Sequence, residues 1–343
     1  MSSYGDINFG FIKLTKNIWM CILNQLNQND WRKIKLLNKT LYQVVYNTSK
    51  LCEPIKLKDI IGKNLVETLI HTKRTINWNL GLRYACMFNN ISIAKYMILR
   101  GSNNWLDALY WACKNENRVL IDLIIISRNS SNSCNPQIHE LNAGLAGASE
   151  SGNKELVDLM ISNGAVNWNM GLLHASKNNK MELINYMIDK GGKKRYGLYG
   201  ACSTNNRHIV DYLIQLGSND WNSGLAGACH GGKKDMIDYM IDKGANNLNK
   251  GLSGACTQGS MEIINYIISK GANDWNEGLY GACMASQIKN INYMISKGAT
   301  NLGYGLWAAC HKNNKRIIKY MINIGATNCH CGKTMVQHMA SCF

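Results

Sequence analysis

Thirteen cysteines and eight histidines are the side chains of this 343-residue chain best suited to chemistry. Seven of the cysteines (Cys86, Cys113, Cys202, Cys229, Cys256, Cys283 and Cys310) recur at one position of a repeat, where Ser149 and Ser176 stand in two further copies. A small, weakly polar side chain at one buried site accounts for such a ladder without redox chemistry. Stacked helical units sit ~10 Å apart, beyond the ~7 Å between Cα atoms that a disulfide can bridge. The ladder is therefore expected to hold free thiols, as in a reducing compartment. Cys329, Cys331, His338 and Cys342 could in principle ligate zinc. Their Cys-x-Cys start is tighter than the usual gap of about two to four residues between ligands, so no metal is expected. Gly332-Lys333-Thr334 ends like a phosphate-binding loop, but that motif needs glycine where Thr327 stands. Cys229 and His230, like Cys310 and His311, are chain neighbours on short helices, so their side chains diverge and cannot pair as nucleophile and base. The carboxylates are scattered. No catalytic residue and no cofactor is expected.

What positions these side chains is the repeat itself. Gly-Leu pairs begin at Gly81, Gly144, Gly171, Gly197, Gly224, Gly251, Gly278 and Gly305, with Ala108-Leu109 as a ninth equivalent. Most steps are 27 residues, one is 26 and one is 36, so residues 77–327 divide into nine units. The long step holds a Ser/Asn-rich insert, 127–140, with Pro136 inside it; it reads as a surface loop. Each unit carries two short apolar periodicities, such as Leu198, Ala201 and Cys202, then Ile237, Met240 and Ile241. Between them Asn89, Gly152, Asn179, Asn205, Gly232, Gly259 and Asn313 suit a left-handed helix end. A helix of about ten residues is too short to be stable alone, so neighbours must supply the core. The expected fold class is all-α, an α-solenoid of nine short helix–turn–helix repeats. Trp78, Trp105, Trp168, Trp221 and Trp275 lie three residues before their Gly-Leu positions, where other units have Leu141, Leu248, Leu302 or Lys194. They are expected to plug the turns, since a base-stacking ladder would not accept leucine. The tyrosines at 96, 186, 212, 239, 266, 293 and 320 read the same way.

The unit resembles the ankyrin repeat. Gly251-Leu252-Ser253-Gly254-Ala255-Cys256, Gly259, Ile263-Ile264-Asn265-Tyr266-Ile267-Ile268 and Gly271-Ala272-Asn273 match its first helix, turn, second helix and exit. The unit is shorter than the usual ~33 residues, and the missing ones come from the hairpin, so blunt turns are expected in place of projecting β-fingers. The resemblance implies a non-catalytic protein that binds other proteins. In ankyrin-like units the exposed inner-face places follow the Ala-Cys pair or stand just before it. Tyr84, Phe88, Trp111, Lys114, Lys177, His230 and His311 are then the candidate partner-binding face, with the aromatics as candidate hot spots.

Residues 1–76 lack the repeat. Leu14, Ile18, Ile22, Leu23 and Leu26, then Ile34, Leu37 and Leu41, form two amphipathic stretches broken near Asp30. Residues 1–54 resemble an F-box in the opening Leu14, Ile22-Leu23, Leu26, Asp30 at the break, Leu37-Asn38-Lys39 and Tyr42. Thr15 stands where proline is usual. The resemblance implies docking to the adaptor of a cullin–RING ubiquitin ligase through Leu14, Ile18, Ile22, Leu23, Leu26 and Leu37. Residues 55–76 read as a linker and capping helix, and 328–343 as a C-terminal cap. An F-box-like start before short ankyrin-type units, in an Asn-, Lys- and Ile-rich chain, is similar to the ankyrin-repeat proteins of giant viruses that infect amoebae. The alternative for 1–76 is a cap over the first unit's apolar edge.

Lys plus Arg number 38 against 22 Asp plus Glu, a net charge of +16 that reads as spread along the chain. It motivates a nucleic-acid-binding alternative, ranked below protein binding. No apolar run approaches the ~18 residues that cross a bilayer. The expectation is a monomer in the cytoplasm (a host's, if viral) or nucleus, linking a target to a ligase or serving as a plain scaffold.

Overall fold

The computed structural model describes residues 77–130, 138–312 and 314–327. The F-box-like positions Leu14, Ile18, Ile22, Leu23, Leu26 and Leu37 lie outside the described residues, as do the linker, the C-terminal cap and its Cys/His cluster, and Asn313. Eighteen helices and no strand occur among the described residues. Nine odd-numbered helices open the units: α1 (Trp78–Met87), α3 (Trp105–Lys114), α5 (Ile138–Ser151), α7 (Trp168–Lys177), α9 (Lys194–Ser203), α11 (Trp221–Gly231), α13 (Leu248–Gln258), α15 (Trp275–Met284) and α17 (Leu302–His311). The even-numbered helices close them: α2 (Ile91–Leu99), α4 (Arg118–Ser130), α6 (Lys154–Ser162), α8 (Met181–Asp189), α10 (Arg207–Gln215), α12 (Lys234–Asp242), α14 (Met261–Ser269), α16 (Ile288–Lys297) and α18 (Lys315–Asn323). Each odd helix packs on the odd helices before and after it and on its own even partner. The chain is thus the expected all-α solenoid.

Local chemistry sets the helix ends. Asn77, Asn104, Asn167, Asp220, Asn247, Asp274 and Asn301 cap the odd helices, each side chain accepting the N–H three residues on. A cap of this kind contributes ~1 kcal/mol. In the first eight units the turn between the two helices goes through a left-handed residue, at Asn89, Asn179 and Asn205 with φ 58–61°. Glu116 and Ser286 adopt the same conformation (φ 56° and 63°), so packing imposes the turn where the residue type does not favour it.

The core is a set of ladders. The leucine of every Gly-Leu pair is fully buried, together with two apolar residues of each even helix. A Cβ at the preceding glycine would meet side chains of the core, chiefly the flexible thioether ends of methionines. At Gly171, an added Cβ would press on Met187 of the same unit and on Ser149 of the unit before; at Gly224, on Met240 and Cys202. The ladder cysteines are free thiols, and burial pushes Cys86, Cys113, Cys202, Cys229, Cys256 and Cys283 up to about 12. A thiol that holds its proton so firmly is a packing element and no nucleophile.

Ser149 and Ser176 occupy the same slots, fully buried, and their hydroxyls have no hydrogen-bond partner. Burying an unsatisfied hydroxyl costs ~1–3 kcal/mol. Ser149→Cys and Ser176→Cys are therefore expected to raise stability by about 1 kcal/mol each, read as a higher urea midpoint at unchanged slope. A lower midpoint for both would refute the packing account of the ladder.

A second ladder explains the blunt turns. Asn142 Oδ1 accepts the backbone N–H of Val166 and Asn167, both at 2.9 Å. Asn222 does the same for Asn246 and Asn247, Asn249 for Asn273 and Asp274, and Asn276 for Thr300 and Asn301. In six units, with Asn79 and Asn169 completing the set, one side chain thus satisfies backbone of the next turn, which there needs no β-finger. Of the expected Trp and Leu plugs, Trp105 and Leu141 are buried (7% and 1% exposed), whereas Trp78, Trp168, Trp221, Trp275, Leu248 and Leu302 are half-buried. Where Lys194 replaces them, its ammonium donates to the carbonyl of Leu216.

Two expectations are corrected. The tyrosines are not core plugs. They are half-buried, and the hydroxyls of all but Tyr96 reach the Asp or Asn just before the tyrosine's equivalent one unit earlier, whereas that of Tyr96 accepts from Arg100. Tyr186 donates to Asp158 (2.7 Å), Tyr239 to Asp211 (3.0 Å) and Tyr266 to Asp238 (2.7 Å). The insert is not wholly a loop either. α4 continues through Ser130 and α5 begins at Ile138, and the two ends are clasped by a buried ion pair, Arg128 Nε to Glu140 Oε2 at 2.5 Å. Residues 131–137 lie outside the described residues.

Candidate partner-binding face

The odd helices approach one another backbone to backbone. An added Cβ at Gly147 would come within 3.0 Å of the Tyr110 carbonyl oxygen; at Gly200, of Leu173; at Gly227, of Tyr199; at Gly254, of Ala226; at Gly281, of Ser253. The even helices make few contacts with one another, so the odd row carries most of the packing between units. That row holds the positions expected of an ankyrin-type inner face. Tyr84 and Trp111 occupy the register of these glycines in the first two units, and a side chain there must wedge between helices or project.

Trp111 is half-buried, edge-on to Tyr110 with ring centroids 5.3 Å apart, and the Lys114 ammonium lies 4.9 Å from its ring centre. Such a cation contributes ~0.5–1 kcal/mol at an exposed site. Lys114 also pairs with Glu150 Oε1 at 2.6 Å. Glu150 Oε2 accepts the hydroxyl of Tyr110 and lies 3.1 Å from His174 Nδ1. Burial alone would raise the Glu150 carboxyl. The hydrogen bonds from His174, Lys114 and Tyr110, with the Lys114 charge, outweigh it and hold the group at about 2. Burial and the Glu150 bond push the Tyr110 phenol up in turn. The cluster links three units. Sequence reasoning missed Glu150, although it follows Ser149 as Lys114 follows Cys113 and so was legible as the acidic member of that register.

The other candidates are spread along the row. Tyr84 is half-buried and Phe88, at the end of α1, is 38% exposed. His230 is half-buried, its ring 6.0 Å from that of Tyr199, and burial, then the Lys177 charge, lowers its proton affinity. His311 is exposed at the end of α17, 6.0 Å from Trp307. The structure thus joins Trp111 and Lys114 in one cluster and Lys177 with His230 in another, and leaves His311 at the far end.

That far end holds a group the sequence reading passed over. Tyr280, Tyr304 and Trp307 lie nearly parallel, with centroids 4.7, 5.6 and 5.9 Å apart. Glu277 accepts the Tyr304 hydroxyl at 3.4 Å, and burial followed by the Asp274 charge raises its carboxyl. Aromatic residues at the register of Tyr110, Tyr199, Tyr280 and Trp307 were the available signal.

The charge expectation is also corrected. Residues 77–277 hold 19 Lys and Arg against 17 Asp and Glu, whereas 278–343 hold seven and none. On the middle units cations are matched, as in Lys154–Asp158, Arg207–Asp211, Lys234–Glu262 and Lys270–Asp238. Among the described residues no group of His, Cys, Asp and Glu could hold a metal ion, and no helix is long and apolar enough to cross a membrane. No family model matches the chain, and no curated protein matches it.

Proposed function

We propose that the chain is a non-catalytic interaction protein of ankyrin type, similar to those of amoeba-infecting giant viruses. Its odd row reads a protein target, and its F-box-like N-terminal segment delivers that target to a ubiquitin ligase. The observation that carries this reading is the contrast within one row of helices. The Leu, Ala and Cys/Ser positions are fixed by packing, while the next residue runs through Lys114, Glu150, Lys177, His230, Thr257 and His311. A rigid scaffold that changes only its outward chemistry suits recognition, and a receptor of this kind acts by proximity. It needs no catalytic residue or cofactor of its own.

The ligase half rests on Leu14, Ile18, Ile22, Leu23, Leu26 and Leu37 and is tested on the full chain. The purified protein should retain the ligase adaptor in a pull-down. A Leu23→Asp, Leu26→Asp variant with unchanged helical circular dichroism should lose at least about tenfold in affinity, the effect of placing charge in an apolar contact. If the parent protein leaves the adaptor unbound, the N-terminal segment reverts to a cap and the array to a scaffold.

A further inference from the structure

Several exposed cations of the last two units lie where an odd helix hands over to its even partner, whereas Lys297 and Lys319 lie elsewhere on α16 and α18. Lys289 stands in the first turn of α16, Arg316 in the first turn of α18, and His311 and Lys312 at the end of α17; all four are exposed. In four of the seven earlier units the place of Lys289 and Arg316 holds an acid, Glu155, Glu182, Asp235 or Glu262, and in the other three it holds Ser92, Val119 or His208. An acid there complements the positive end of the helix dipole, whereas a cation opposes it. The last two units break this local rule twice, and no carboxylate follows Glu277 in the chain to compensate. From that edge, His311, Trp307 and Tyr304 recur at helical spacing along α17, and Tyr280 of α15 stacks against the latter two.

We propose that this end of the array binds an acidic protein segment that also carries apolar side chains. Its carboxylates would meet Lys289, Lys312 and Arg316, and an apolar side chain would pack beside Trp307. The inference rests on reading the array as protein-binding and supplies its partner chemistry. Tyrosine, tryptophan and arginine dominate protein hot spots, and complementary charge supplies approach and specificity. Single-stranded nucleic acid fits less well, because stacking needs free ring faces. Here the three rings lie parallel against one another, and the Glu277 carboxylate sits among them. The near-neutral stretch 77–277 gives a phosphate backbone no basic track to follow.

The probe is a labelled peptide of three Glu-Glu-Asp-Leu-Phe copies, titrated with the full chain by fluorescence anisotropy at physiological salt. Binding is expected, and a Gln-Gln-Asn-Leu-Phe version should bind at least about tenfold more weakly. Lys289→Glu, Lys312→Glu and Arg316→Glu together should cost a similar factor, and Trp307→Ala should weaken binding on its own. Lys95→Glu, Lys190→Glu and Lys243→Glu change net charge equally on the middle of the array and should leave affinity unchanged. Circular dichroism establishes that each variant is folded. The proposal is overturned by no binding, by equal loss in the two triple variants, by an unaffected Trp307→Ala, or by tighter binding of an oligouridylate of matched charge. Peptide binding by a chain that ignores the ligase adaptor would remove the ligase link alone, so the two failures are distinguishable.

Discussion

Gly227→Ala is expected to lower the unfolding free energy by about 3 kcal/mol, the upper end of what overpacking costs. This holds although alanine is the better helix former by ~1 kcal/mol. The added methyl would fall within 3.0 Å of the carbonyl oxygen, carbonyl carbon and Cα of Tyr199. Those atoms belong to the backbone of α9 and have no rotamer to change, so α9 and α11 must move apart. Gly224→Ala, one turn earlier in α11, is the control. Its methyl meets chiefly the thioether end of Met240, a side chain able to rearrange, and its cost should stay near or below ~1 kcal/mol. Because stability in a repeat array is a sum of unit and nearest-neighbour terms, separating α9 from α11 should also split urea unfolding into two transitions. Equal midpoints for Gly227→Ala and Gly224→Ala would refute backbone contact as the basis of the inner row.

Those glycines show what a single sequence discloses and what it withholds. The period of 27, the leucine and cysteine ladders and the left-handed turns follow from residue type and spacing, since each answers to geometry within one unit. Gly147, Gly200, Gly227, Gly254 and Gly281 were equally visible, yet nothing within their own units says why glycine stands there. Their reason lies in the carbonyl of the previous unit, and a distance between units is not written in either unit alone. The Asn ladder escaped for the same cause. Asn222 serves the turn of Asn246 and Asn247, and a polar residue one position after a tryptophan carries no local sign of that duty. Tyr239 was legible as periodic but not as polar, because its partner Asp211 sits in a neighbouring helix. The candidate face divides along the same line. Its register was found from spacing, but whether a cation there was matched or open depended on what lies across the helix pair. Lys114 is taken up by Glu150, whereas Lys289, Lys312 and Arg316 stand on a stretch of chain with no carboxylate.

The Glu150 cluster gives the second large effect. Glu150→Ala is expected to cost ~2–3 kcal/mol, because it leaves a lysine, a histidine and a tyrosine hydroxyl in a partly covered site without their common acceptor. Glu150 and His174 are only 16% and 17% exposed in their side chains, so water cannot fully replace the bonds. The pH dependence has a definite sign. A carboxyl held at about 2 instead of its usual 4.5 releases its proton more readily in the folded chain than in the unfolded one. Its contribution is fully present above pH 4.5 and is lost as the pH falls toward 2. Chemical denaturation of the parent protein should therefore show stability falling across that window. Glu150→Gln, which keeps the shape and some hydrogen bonding but cannot titrate, should start lower and lose less over the same range. A parallel decline in both proteins would place the acid sensitivity elsewhere in the chain. The window matters because the cluster spans α3, α5 and α7. Acid should loosen the joints between these units first, leaving the units after α7, where the glycine contacts run unbroken from Gly200 to Gly281, as the most persistent part of the array.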